Sequence, residues 1–84
     1  MRYPERRQAL LKAYESLLLP ARDSSRCAEA CAIVRKALRR GDYYSRSAFA
    51  LVVDRLRELV RECRWKASYT DLRKALRCLE RRLS

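Results

Sequence analysis

Apolar residues recur at three- and four-residue intervals along most of this chain, the period of helices with one buried face. The first run, Leu10, Leu11, Tyr14, Leu17 and Leu18, follows Pro4, a residue suited to a first helical turn, and closes at Pro20. Asp23, Ser24 and Ser25 can each cap a second helix with Cys27, Ala30, Cys31, Val34, Ala37 and Leu38 on its inner stripe. Gly41, the only glycine of the chain, stops it. Ser45 or Ser47 can cap a third helix carrying Phe49, Val52, Val53, Leu56, Val60 and Cys63 on one face. Continued unbroken, that stripe would fall near 67, 70 and 74, yet the apolar residues present are Tyr69, Leu72, Leu76, Leu79 and Leu83. The phase jumps near Lys66, and Ser68 with Asp71 three residues on resembles a capping box for a fourth helix.

The pattern predicts an all-α fold of four helices, at about 4–19, 24–40, 46–65 and 69–82, in a single domain spanning 1–84. Short connections make successive helices antiparallel neighbours, hence a small up-down-up-down four-helix bundle. The main structural alternative is a continuous helix in place of the last two. Leu19, Leu51 and Leu59 lie off the inner stripes and could form an apolar patch for a partner.

Counting from each turn at about 1.5 Å per residue places Cys31 and Cys78 level with Leu56, and Cys27 near Val60 and within a turn of Cys63. Two readings of the cysteines follow. They are small reduced core residues, or they pair as Cys27 with Cys63 and Cys31 with Cys78, an option more open in a thermophile, whose interior tolerates disulfides. A Cys27–Cys31 bridge is disfavoured because those side chains project poorly toward each other along one helix. The spacing also differs from the CxxC knuckles that zinc and iron-sulfur sites use, so no metal and no cofactor is expected.

Composition narrows the function classes. Lys and Arg number 21 against 10 Asp and Glu, a formal charge of +11 that favours an anionic partner. Seventeen of the basic residues are Arg, whose planar fork matches phosphate or carboxylate. The charge is spread along the whole chain rather than gathered in a tail. Asn and His are absent and Gln occurs once, a thermophile-like economy of labile side chains. Without histidine or a glycine-rich loop the usual general base and phosphate cradle are missing, so no enzyme activity is expected. The acids sit near basic residues at helical spacing, as in Glu58 with Arg61 and Glu62 with Lys66, which suits solvated ion pairs. No segment has a membrane span's run of apolar residues, and a secretory leader is not apparent, which predicts a cytoplasmic protein without membrane partners.

The stretch Arg39–Ser47, reading RRGDYYSRS, combines the glycine stop with three arginines and two adjacent tyrosines. In an up-down-up-down bundle it shares a pole with the start of the first helix and the end of the fourth. Arg2, Arg6, Arg7, Arg39, Arg40, Arg46, Arg81 and Arg82 converge there with Tyr3, Tyr43 and Tyr44. Arginines fork onto phosphates and tyrosines stack on unpaired bases, the chemistry of RNA or DNA binding with little sequence preference. The expectation is a small nucleic-acid-binding accessory, packaging or ribonucleoprotein subunit. The alternative is a helical protein-protein interaction module or a homo-oligomeric subunit of a larger assembly.

Overall fold

The computed structural model describes residues 3–64 and 66–83. These form α1 (Tyr3–Leu18), α2 (Ser25–Arg40), α3 (Arg46–Glu62) and α4 (Tyr69–Glu80), with one 3-10 turn at Pro20–Arg22 between the first two. Helix α1 packs against α2 and α4, and α3 against α4 and α2, so the chain runs around a four-cornered bundle in sequence order. The up-down-up-down architecture predicted from the pattern is present. Its Cα envelope measures 37 × 20 × 15 Å, elongated enough that the two poles are separate surfaces.

The boundaries follow local chemistry. Pro20 ends α1, and its carbonyl accepts from both Asp23 and Ser24 N–H at 3.1 Å. Ser24, extended at φ −135°, caps α2 by accepting from Cys27 N–H at 3.2 Å. Gly41 closes α2 at φ 72°, a left-handed conformation in which a Cβ is strained, while Asp42 N–H reaches back to the Ala37 carbonyl at 3.0 Å. Ser45 caps α3 through Ala48 N–H at 3.3 Å.

Two boundaries differ from expectation. Helix α3 ends at Glu62 rather than near 65, where Cys63 N–H is shared between the Leu59 and Val60 carbonyls at 3.1 and 3.2 Å. The capping box at Ser68 does not form: Ser68 sits at φ −70°, ψ −10°, already helical, and its hydroxyl makes no cap bond. The chain enters α4 instead through two successive turns, Lys66 N–H to Cys63 O and Tyr69 N–H to Lys66 O, each 3.0 Å. The break between α3 and α4 is real, and the continuous-helix alternative is excluded.

The core is one continuous cluster, with Leu10, Leu17, Val34, Phe49, Leu56, Leu72 and Leu79 fully buried. In α1 the buried stripe is Arg6, Ala9, Leu10, Ala13 and Leu17 rather than the run of larger residues, and Leu18 is exposed. Alanines face the neighbouring helices because they let backbones approach closely, while Leu11 and Tyr14 cover the boundary. In α3 Leu59 is buried and Val60 only half-buried, so the predicted phase was off by one position near its end. Leu19 and Leu51 are indeed exposed. Among the described residues, no helix is long and apolar enough to cross a membrane.

Candidate nucleic-acid interface

Gly41 shapes the pole twice. Its φ turns the chain out of α2, and its missing Cβ leaves room for Tyr44, whose ring carbons would lie 3.1 and 3.2 Å from one. The Tyr44 ring stacks at a tilt on Tyr43, with centroids 4.6 Å apart, and on Tyr3 from the start of α1 at 5.0 Å. Tyr43 is half-buried against the core, and the Arg7 guanidinium lies over its ring at 6.0 Å. Tyr44 is 63% exposed. Its proximity to the Tyr43 hydroxyl pushes its phenol above the usual tyrosine range.

Arg6 ties this turn to α1. Only 8% exposed, it donates from Nε to the Tyr43 carbonyl at 2.7 Å and from Nη2 to the Tyr44 carbonyl at 3.2 Å. It is therefore an internal clamp rather than a contact surface. Arg46 joins α3 to the segment after α4 by donating from Nε to the Leu83 carbonyl at 2.8 Å. Arg82 pairs with Glu5 at 3.6 Å across the α1–α4 junction. All four helix ends at this pole are thus joined by arginines.

Of the predicted contact residues, Arg6, Arg7, Tyr43 and Tyr44 join Tyr3 in one contact cluster, while Arg46 and Arg82 are held at the neighbouring helix ends by Leu83 and Glu5. Arg39 and Arg40 are exposed on α2, lining a shallow groove of about 570 Å³ with Arg35 and Lys36. Arg81 faces a different groove, toward α1 and α4. Arg2 lies outside the described residues.

The outer face of α4 is a further cationic surface, of which only Arg81 was among the expected contact residues. Arg73, Lys74, Arg77 and Arg81 line an open groove of about 660 Å³ with Tyr69, Thr70 and Cys78, and no acid is among its lining. Arg73 donates to the Tyr69 hydroxyl at 2.8 Å and lies over that ring at 5.8 Å. The spacing of Arg73, Arg77 and Arg81, four residues apart, carried the signal once the phase of α4 was known.

The acids lie mostly elsewhere. Asp54 and Glu80 hold Arg57 at 3.2 and 2.9 Å, and Arg26 bridges Glu29 and Glu62 at 3.3 and 3.0 Å. Glu62 therefore turns to α2 instead of pairing with Lys66 as expected, because α3 has ended before that residue.

The four cysteines are free thiols in this structure, and neither candidate disulfide is formed. Cys27 and Cys63 do meet in the core, each fully buried, and burial raises the Cys27 thiol above its ordinary 9.0. Burial likewise raises Cys31, partly offset by Arg35. Cys31 and Cys78 belong to the diagonally placed α2 and α4: the half-buried Cys78 directs its thiol to the Ala9 carbonyl of α1 at 3.7 Å, and α1 lies between α2 and α4 at that edge of the bundle. Among the described residues, no group of three or more Cys, Asp or Glu could hold a metal ion. No family model, no curated protein and no solved structure matches this chain.

Proposed function

We propose that this chain binds nucleic acid at the tyrosine and arginine pole, as a non-catalytic accessory, packaging or ribonucleoprotein subunit with little sequence preference. The observation that carries the reading is the exposed Tyr44 ring, backed by Tyr3 and Tyr43 and flanked by cationic side chains. A flat aromatic face held by its neighbours can stack on any unpaired base, and surrounding arginines can attract the phosphates. Among the described residues the one buried charged side chain, Arg6, is engaged by the Tyr43 and Tyr44 carbonyls rather than turned to a base edge, so stacking and charge dominate.

The test is fluorescence anisotropy with labelled single-stranded RNA and DNA, and with a duplex, over a salt series. Tyr44→Ala should weaken single-strand binding by about 1 to 3 kcal/mol with little change in salt slope. Tyr44 is the better probe than Tyr43, whose ring also supports the core. Absence of binding by the wild type at low salt overturns the reading.

One observation favours protein association as the second reading. Leu51, 67% exposed, stands beside Ala32, Ile33 and Val52 in a groove of about 410 Å³ between α2 and α3. A sizing experiment without nucleic acid, on wild type and Leu51→Lys, tests whether that groove joins two copies.

A further inference from the structure

We infer that the outer face of α4 is a track for the sugar-phosphate backbone of a single strand whose terminal bases reach the tyrosine pole. This rests on the nucleic-acid reading above and assigns the strand a path that the pole alone does not define.

Three features of α4 support the path. Its exposed side chains are Thr70, Arg73, Lys74 and Arg77, continued past its end by Arg81 and Arg82, so all but one are cationic. Neither of its two acids lines the groove: Glu80 is bonded to Arg57 of α3, and Asp71 is half-buried and absent from the lining. Finally, the face is a groove rather than a ridge. The 660 Å³ depression and a second of about 320 Å³, between α1 and α4, share Cys78 and Arg81, and the second adds Lys12 and reaches Pro4 and Glu5 beside Tyr3.

The spacing fits a strand. Residues four apart on a helix are about 6 Å apart along its axis, so Arg73, Arg77 and Arg81 form a row about 12 Å long. Successive phosphates of an extended strand have comparable spacing, and each guanidinium offers a fork to one of them. Arg73 is already oriented by Tyr69, which reduces what is lost on fixing it against a phosphate. A row of about three phosphates followed by a stacked base or two gives a site of roughly four to five nucleotides, within the range of small single-strand binders. An acidic peptide would meet the same charges, but it would not use the aromatic pole at the end of the row.

The experiment compares Arg73→Gln/Arg77→Gln with Arg55→Gln/Arg61→Gln, an equal loss of charge from α3, by anisotropy against oligo-dT of graded length over a salt series. For single strands each lost phosphate contact flattens the log-log slope by about 0.7, so the α4 pair should flatten it by about 1.4 and the α3 pair by much less. Bound oligo-dT should also slow alkylation of Cys78, the half-buried thiol on the groove's floor. Equal flattening by both pairs, an unprotected Cys78, or equal displacement by poly-glutamate overturns the track while leaving nucleic-acid binding standing. Failure of the wild type to bind oligo-dT, RNA or duplex overturns both.

Discussion

The pole and the outer face of α4 are both rich in arginine, but the two regions use it differently. At the pole Arg6 and Arg46 donate to the carbonyls of Tyr43, Tyr44 and Leu83, Arg82 meets Glu5, and Arg7 covers Tyr43. On α4 Arg73 donates to a tyrosine hydroxyl, and among the described residues no acid lines the groove it shares with Lys74, Arg77 and Arg81. The cause lies in helix geometry. A helix end and the turn beyond it present carbonyls without intrahelical partners, and a guanidinium is a strong donor for them. In mid-helix the backbone is already satisfied, so the cations there remain available. Convergence of arginines at one place in a fold is therefore poor evidence of availability; what matters is which backbone groups near them still need donors.

That contrast is broken most severely at Arg6. Replacing it by Ala removes two charge-assisted bonds and leaves the Tyr43 and Tyr44 carbonyls without their donor, which should cost about 2 to 3 kcal/mol of stability in chemical denaturation. Arg77→Ala, which removes the same charge from α4, should change stability by less than about 0.5 kcal/mol. Equal losses would mean that the two regions use arginine alike.

The same contrast explains what the sequence could disclose. Four helices, their order, the break after α3 and the caps at Ser24 and Ser45 were legible because periodicity and capping are local properties. The role of Arg6 was not, since it depends on carbonyls 37 and 38 positions away. Nor was the failed cap at Ser68, where the approach of the chain already places that residue in a helical conformation. At the candidate site, the grouping of Tyr3 with Tyr43 and Tyr44 followed from topology. The row on α4 is marked in the sequence only by the four-residue spacing of Arg73, Arg77 and Arg81, which becomes a face once the phase of α4 is fixed by its buried Leu72, Ala75, Leu76 and Leu79.

The thiols extend the comparison to the interior behind each surface. Burial raises Cys27 and Cys31 above 9.0 in the folded chain, so on unfolding they release protons at lower pH. The unfolded state then binds fewer protons than the native one, and stability falls as pH rises through the ordinary thiol range. Urea midpoints should decline from about pH 7 to about pH 9.5, and Cys27→Ala/Cys31→Ala should flatten the decline while lowering stability at neutral pH. A pH-independent midpoint in the wild type would show that these thiols are not held protonated by burial. Cys78, half-buried on the α4 groove, should be alkylated before the three buried thiols.

An intermediate effect is expected at Arg57, which stands between the two extremes. It is engaged, like Arg6, because Asp54 and Glu80 hold it at 3.2 and 2.9 Å, and Glu80's hydrogen bond raises its already high pKa further. Yet it is exposed, like Arg77, so water competes for each of its bonds and salt screens them. The pairing with Glu80 links α3 to α4, but the buried contacts of Leu56 and Leu79 hold that seam without it. Arg57→Gln should therefore cost no more than about 1 kcal/mol, and the loss should shrink further in about 1 M salt. A salt-independent loss as large as that of Arg6 would mean that an exposed carboxylate can hold an exposed arginine as firmly as the turn carbonyls hold the buried Arg6, and the distinction between the pole and the helix faces would fail.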